Sequence, residues 1–268
     1  MFGLLDWIDE TKLVSFALCL NPNAIQYLTE HPQLIQYDYL SYNQNAYELL
    51  IQDTANISSR NFAFNTHPDA ENIIKNKQNK HWKNICQNPA LIRLIKENPD
   101  KIHWDSLSRN PAAISMLKLN FEKIVWSEFC LNTSPDAIQM IKANPDKIDW
   151  FSLSVNPSAI KYLEQNIDKV DFWALSWNTA AIHLIEANMN KIHWMGLSSN
   201  SSAMHILKKN QSKIDWVQFS TNPGIFDYNY QTLAIERTNL LREELMMNAL
   251  HPSRIQKLLD AGADIDDL

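Results

Sequence analysis

The chain has 268 residues, of which 45% are hydrophobic and 10% aromatic, and this composition favours a folded core over a disordered protein. The formal net charge is −6, so the overall charge gives no reason to expect binding to nucleic acid or to an acidic membrane surface. Only four glycines occur, which favours helices over a strand-rich fold with many tight turns.

The N-terminal residues 1–10, MFGLLDWIDE, are predicted to form a helix that caps the first repeat. Acidic residues precede the first basic residue, Lys12, so the segment lacks the basic start of a signal peptide. No apolar run approaches the roughly 20 residues that span a bilayer. We therefore expect a soluble, cytoplasmic protein without a membrane partner.

A 22-residue pattern occupies residues 11–232 in ten copies, and it is clearest in the phrase NPDKIDWFSLSVNP at 144–157. One Asn marks each copy, and copies 1 to 10 are numbered by these residues: Asn21, Asn43, Asn65, Asn88, Asn110, Asn132, Asn156, Asn178, Asn200 and Asn222. An aromatic residue lies six positions before most of them, as in Trp82, Trp104, Trp126, Trp150, Phe172, Trp194 and Trp216. This regularity indicates that the aromatic series belongs to the core.

Each copy is predicted to contain two short helices. The marker Asn, with a following Pro in several copies, is typical of a helix N-cap and first helical residue. Apolar residues follow at helical spacing, as in Ala159, Ile160 and Leu163. A second Asn, such as Asn144, is predicted to end the helix in the left-handed conformation. The segment around Trp150 departs from strict alternation and is therefore predicted to be helical.

A unit of this size cannot bury its apolar side alone, so the copies are expected to stack as an all-α solenoid. With a helix spacing of ~8–10 Å, ten copies would form an open arc of about 90 Å. The alternative is a leucine-rich-repeat-like horseshoe, because the period of that repeat, roughly 20–29 residues, overlaps this one. The pattern WxxLSxN fits the strand consensus of that repeat poorly.

Residues 233–268 are predicted to form a C-terminal helical cap, with one helix over 233–250 and another from about Pro252. The phrases NPxAIxxL and NPDKIDWxxLSxNP, together with the tail HPSRIQKLLDAGADIDDL, resemble a large repeat family encoded by giant DNA viruses of amoebae. The resemblance covers nearly the whole chain and is weakest in copies 2 and 3. It implies a repeat architecture, a location in the host cytoplasm, viral factory or virion, and a role in holding viral or host proteins. It implies no chemistry.

The residue types that carry chemistry fall on repeat positions. Cys19, Cys86 and Cys130 lie two residues before the marker Asn, where other copies have Ser or Ala, so we expect buried, unpaired thiols. The eight His residues lack the spacing of known metal motifs. No nucleophile, phosphate-binding or dinucleotide motif appears. We therefore predict a non-enzymatic protein without a catalytic, metal or cofactor site.

One Lys per copy recurs in copies 4 to 10: Lys80, Lys101, Lys123, Lys147, Lys169, Lys191 and Lys213. Such a ridge beside aromatic residues is the basis of an alternative hypothesis, an RNA- or DNA-binding repeat module. Acidic residues directly precede four of these lysines, so the ridge is roughly neutral, and this disfavours nucleic acid as the partner.

One repeat position changes character along the array. The residue five before the marker Asn is polar in copies 2 to 6 and apolar in copies 7 to 10. The position directly before the Asn adds two more apolar residues there. These positions predict an apolar, partner-binding patch made of Phe151, Val155, Trp173, Trp177, Met195 and Val217. The alternative is that the C-terminal cap or local packing covers it. The favoured hypothesis is a scaffold that binds a protein partner, and a structural virion or assembly component is the alternative.

Overall fold

The computed structural model describes residues 2–228, 230–249 and 251–261. The protein is mostly helical, as predicted. The chain divides into two compact units. Residues 5–226 form the repeat unit, and residues 1–4 with 227–268 form the other.

Most copies consist of a first helix before the marker Asn, a 3-10 turn after it, and a second helix. In copy 7 these are Trp150–Val155, Pro157–Ala159 and Ile160–Glu164. The two predicted short helices per copy are therefore confirmed. The WxxLS segment is helical in the described copies, where the horseshoe alternative required a strand.

The first helices are Ser15–Leu20, Tyr37–Leu40, Ser59–Phe62, Trp82–Gln87, Trp104–Arg109, Trp126–Phe129, Trp150–Val155, Phe172–Leu175, Trp194–Ser199 and Trp216–Thr221. The second helices of copies 1 to 9 are Ile25–Glu30, Tyr47–Leu50, Ala70–Asn76, Ile92–Lys96, Ile114–Leu119, Pro135–Lys142, Ile160–Glu164, Ile182–Glu186 and Met204–Lys209. The 3-10 turns are Glu10–Lys12, Pro32–Leu34, Gln44–Ala46, Ile51–Asn56, Pro89–Leu91, Pro99–Lys101, Pro111–Ala113, Phe121–Lys123, Pro145–Lys147, Pro157–Ala159, Ile167–Lys169, Thr179–Ala181, Ser201–Ala203, Gln211–Lys213 and Pro223–Ile225.

The second Asn of a copy ends its helix differently from the prediction. Asn144 has φ −131° and ψ 64°, which is outside the left-handed region. Its side-chain Nδ2 instead donates to the carbonyl oxygen of Met140 at 2.9 Å and so satisfies a free carbonyl of the last helical turn. The predicted left-handed cap is wrong, whereas the position of the helix end is right.

The core lies between the two helices of each copy. In copy 7 it consists of Leu153, Ala159 and Leu163, all essentially inaccessible to solvent. Trp150 is only half-buried, and the ammonium of Lys169, in the next copy, lies 5.2 Å from the centre of its ring. The prediction that the aromatic series forms the core is therefore wrong, because these rings also cover lysine side chains at the surface.

The marker Asn residues form a hydrogen-bonded ladder through the centre of the repeat unit. Asn178 is buried, and its Nδ2 donates to the carbonyl oxygens of Ser154 at 2.9 Å and Asn156 at 3.0 Å in the preceding copy. Its Oδ1 accepts from the backbone N–H of Ala180, which is the predicted N-cap bond. We call these residues the ladder Asn. Each one both begins a helical turn and binds two neighbouring copies together.

The ladder closes on itself. Asn21 of copy 1 donates to the carbonyl oxygens of Ser220 at 3.1 Å and Asn222 at 2.8 Å in copy 10. The first helices of copies 1 and 10 also pack against each other. Residues 5–226 therefore form a closed ring of ten copies. The predicted open arc is wrong, because the curvature of ten copies brings the ends together.

The other unit contains a strand and two helices at the chain ends. Phe2–Leu4 and Phe226–Tyr228 form a two-stranded sheet, so the N-terminal helix predicted over residues 1–10 is wrong. The predicted C-terminal helices are confirmed as Tyr230–Ala249 and Pro252–Asp260. Residues 262–268 of the predicted cap lie outside the described part of the chain. Among the described residues, no helix is both long and apolar enough to cross a membrane.

Candidate binding surface

The first helices lie on the inner side of the ring. Neighbouring copies in a closed ring diverge with distance from the ring axis, so the elements that pack most closely lie nearest that axis. First helices of neighbouring copies pack side by side. Second helices are joined through long side chains, as in His183 Nε2 and Glu164 Oε1 at 2.7 Å. The second helices are therefore on the outside.

A cavity supports this assignment. It has a volume of about 460 Å³, and residues of four consecutive copies, 3 to 6, line it together. Its lining comes from positions directly before and after the ladder Asn, including Gln87, Pro89, Arg109 and Thr133. A single concavity shared by four copies is expected on the inner side of a ring. We call the residues one and five positions before each ladder Asn the inner wall, since both positions lie on the face of the first helix opposite its buried Leu.

The structure places all six predicted patch residues on this inner wall. Phe151, Trp173 and Val217 are exposed, with accessible fractions of 47%, 42% and 41%. Val155, Trp177 and Met195 are half-buried. Local packing within the repeat unit therefore leaves three of the six exposed. We call these six residues the apolar half of the inner wall.

The aromatic members of the apolar half form one continuous surface. The rings of Phe151 and Trp173 stack with centres 5.7 Å apart, and Trp173 and Trp177 are 4.6 Å apart one helical turn later. Gly196 in the next copy makes room for Trp177, because a Cβ there would lie 2.7 Å from the indole ring. The Trp177–Gly196 pair shows how a larger aromatic residue fits between neighbouring copies.

His193 extends this aromatic surface and was missed by the sequence analysis. Its ring centre lies 4.7 Å from that of Trp173 and 5.8 Å from that of Trp177. Its buried Nδ1 has no hydrogen-bond partner among the described residues. Other copies have an Asp at the same position that caps the first helix, as Asp171 does by accepting from the N–H of Ala174. His81 and His103 occupy the same position in copies 4 and 5, so the repeat pattern alone does not single out His193.

On the other side of the inner wall, the position five residues before the ladder Asn is polar, whereas Tyr42, Phe64 and Leu131 are apolar one residue before it. Asp38, Arg60, Lys83, Asp105 and Ser127 occupy copies 2 to 6 five residues before the ladder Asn. Burial raises the pKa of Asp105, but the backbone N–H of Ser106 and the ammonium of Lys83, 3.2 Å away, together lower it below its usual value. Arg60 and Arg109 make no ion pair with a described residue. In a ring of ten, copy 3 lies opposite copy 8, so Arg60 faces the side of the opening that carries Trp173.

The three thiols are buried and unpaired, as the repeat pattern predicted. They also take part in hydrogen bonds between copies. Cys86 accepts from the backbone N–H of His103 at 3.4 Å, and Ser154 Oγ makes the same contact with Asp171 at 3.0 Å. Burial raises the pKa of the Cys130 thiol to about 11. In most copies the small residue at this position accepts a hydrogen bond from the next copy, which the size argument from the sequence did not reveal.

The lysine series has a structural role in the ring. The ammonium groups of Lys123, Lys147, Lys169, Lys191 and Lys213 each lie between 4.6 and 5.2 Å from the aromatic ring of the preceding copy. Lys12 completes the series across the junction of copies 10 and 1, at 5.1 Å from the ring of Trp216. These cation–π contacts hold the ammonium groups against aromatic rings. The nucleic-acid hypothesis requires the same groups to be accessible to phosphates.

The described residues contain no group of three or more His, Cys, Asp or Glu side chains that could hold a metal ion. No protein-family model matches this chain, and no curated protein and no solved structure matches it. The geometry of the inner wall is therefore the basis for the functional proposal.

Proposed function

We propose that this protein is a non-enzymatic repeat scaffold that binds a protein partner through the inner wall of its ring. The observation that carries the proposal is the exposure of Phe151, Trp173 and Val217 on copies 7, 8 and 10. Large apolar residues on a concave surface are typical of sites that bind another protein, and Trp is enriched among the residues that contribute most to binding. The stacked rings are already ordered, which reduces the entropy lost on binding.

The nucleic-acid alternative receives less support from the same surface. A strand of RNA or DNA requires several accessible cations along its path. Five lysines of the repeat series instead lie over aromatic rings of their neighbours. Lys83 on the inner wall is paired with Asp105.

The sequence resemblance adds a proposal about origin. The NPxAIxxL and NPDKIDWxxLS phrases resemble repeats of giant DNA viruses of amoebae, so we propose that the partner is a viral or amoebal protein. The ring would then act in the host cytoplasm, the viral factory or the virion.

The proposal is tested by affinity capture with immobilised full-length protein from lysates of infected amoebae. We expect Trp173→Ser and Met195→Gln to reduce the recovery of a specific partner about tenfold or more, since central aromatic and apolar contacts dominate binding. Leu119→Ser is the matched control, because Leu119 is an exposed apolar residue of a second helix, outside the inner wall. Equal recovery by all variants, with unchanged thermal melting, would contradict the proposal.

A further inference from the structure

We propose that the cavity at copies 3 to 6 binds a carboxylate, so that the partner held by the inner wall presents an acidic side chain to Arg109. The inference rests on the proposed function, since it names the chemistry of the partner at the same surface. It is carried by the polar groups that line the cavity and by the continuity of the cavity with the apolar half of the inner wall.

The cavity has the size and the lining of a binding pocket. Its volume of about 460 Å³ falls within the range of roughly 300–1,000 Å³ that is usual for such pockets. Side chains from four successive copies line it, among them Phe64, Thr66, Gln87, Arg109, Leu131 and Thr133. Apolar side chains therefore lie beside a small number of polar groups, which is the composition that fixes the orientation of a bound group.

Three polar side chains of the cavity have no partner among the described residues. Arg109 makes no ion pair there, and the side chains of Gln87 and Thr133 make no hydrogen bond. A guanidinium, an amide and a hydroxyl each offer N–H or O–H donors. The cavity therefore presents donors from three neighbouring copies to a bound acceptor.

The charge of the cavity selects a single anion. Arg109 carries the only charge among the described lining residues, and its guanidinium presents parallel N–H donors that match the two oxygens of a carboxylate. Lys83 and Asp105 of the inner wall already pair with each other at 3.2 Å. Glu128 of copy 6 does not line the cavity and makes no ion pair with Arg109. One carboxylate therefore balances the charge of the cavity, whereas a nucleic acid would require further cations along its path.

The cavity continues into the apolar half of the inner wall. The residue directly before the ladder Asn is Arg109 in copy 5, Leu131 in copy 6, Val155 in copy 7 and Trp177 in copy 8. With ~8–10 Å between neighbouring helices, the first helices of copies 5 and 7 are at most about 20 Å apart. An extended chain advances about 3.3 Å per residue, so about six residues cover this distance. One short segment of the partner therefore places an acidic side chain at Arg109 and an apolar side chain on the apolar half.

The test selects phage-displayed random peptides on the immobilised full-length protein. We expect the recovered peptides to share an Asp or Glu within about six residues of an aromatic residue. A recovered peptide is then synthesised with an amidated C-terminus, so that its carboxylates are side chains. Replacing its acidic residue with the matching amide should raise the dissociation constant about tenfold or more, because the charge-assisted bonds to the guanidinium are lost.

Arg109→Gln should raise the dissociation constant of the acidic peptide by a similar factor, and it should leave that of the amide peptide nearly unchanged. This double-mutant cycle assigns the carboxylate to Arg109 rather than to another cation. Lys161→Gln is the matched control, because Lys161 is an exposed cation of a second helix, outside the inner wall. The change in the peptide requires no altered protein, so the test stays valid if Arg109→Gln alters folding, which circular dichroism would reveal.

The inference is overturned if the selection recovers no peptide or peptides without an acidic preference. Equal binding of the acidic and amide peptides, or an equal loss of both in Arg109→Gln, would also overturn it. Peptides that lack an acidic residue and are lost in Trp173→Ser would overturn this inference and leave the proposed function intact. Acidic peptides that bind Trp173→Ser as well as the wild type would instead contradict the proposed function.

Discussion

The junction between copies 10 and 1 and the junction between copies 8 and 9 contain the same bonds, although only the second lies within a continuous stretch of chain. Asn200 donates to the carbonyl oxygens of Ser176 and Asn178, both at 3.1 Å. At the closing junction Asn21 donates to those of Ser220 and Asn222. The ring therefore closes through the same type of Asn contact that joins neighbouring copies elsewhere.

The same comparison holds for the position two residues before the ladder Asn. His193 donates its backbone N–H to Ser176 Oγ at 2.8 Å within the array. Val14 donates to Ser220 Oγ at 2.9 Å across the closing junction. Both kinds of bond therefore also cross the closing junction.

The two junctions differ in the length of chain that connects them. Asn21 and Asn222 are 201 residues apart, whereas Asn200 and Asn178 are separated by 22. Each doubling of a flexible loop costs about 0.6 kcal/mol of closure entropy, so about three doublings make the closing junction weaker by roughly 2 kcal/mol. The ring should therefore open at this junction before any other.

The largest effect is expected when an internal ladder Asn becomes charged. Asn178→Asp would replace two N–H donors with a buried carboxylate facing two carbonyl oxygens, and it should lower the free energy of unfolding by about 4 kcal/mol or more. Urea denaturation measures the effect. Asn190→Asp is the control because Asn190 is exposed, and a similar loss in both variants would show that the added charge alone is responsible.

The next largest effect is a difference in unfolding free energy between an internal junction and the closing junction. Asn178→Ala leaves buried carbonyls without donors and removes a cap, so it should cost about 2–4 kcal/mol in global unfolding. Asn21→Ala should cost less in global stability, because the weaker closing junction opens and water hydrates the freed groups. Hydrogen exchange should then accelerate at Ser15–Glu30 in the Asn21 variant. Protection that is lost evenly around the ring would argue against a weak closing junction.

The smallest effect concerns the position two residues before the ladder Asn. Cys86→Ser should leave the melting temperature nearly unchanged, since Ser fills this position in other copies and makes the same bond. Cys86→Ala should cost about 1–2 kcal/mol, because the N–H of His103 loses its acceptor. Thermal melting under reducing conditions compares the pair. Equal melting of the two variants would mean that only size matters there.

Part of the candidate surface was predictable from the sequence, because the change from polar to apolar five residues before the ladder Asn is visible without a structure. Phe151, Trp173, Met195 and Val217 follow directly from it, and Val155 and Trp177 were added from the position directly before the Asn. The sequence does not show whether these residues lie on the inner or the outer side of the ring, since the same helix spacing is compatible with both. The unpartnered nitrogen of His193 likewise depends on how closely Trp173 and Trp177 approach it.

The sequence by itself determined the local structure of this protein: the 22-residue period, two short helices per copy, and the Asn that begins each turn. These features depend on contacts within a few residues, so their spacing reveals them. The helix-capping role of the ladder Asn was predicted, whereas its Nδ2 bonds to the preceding copy were found only in the structure. Tertiary structure alone decided the closure of the ring. Closure depends on a small rotation between copies that is summed ten times, and no residue pattern within one copy records that rotation.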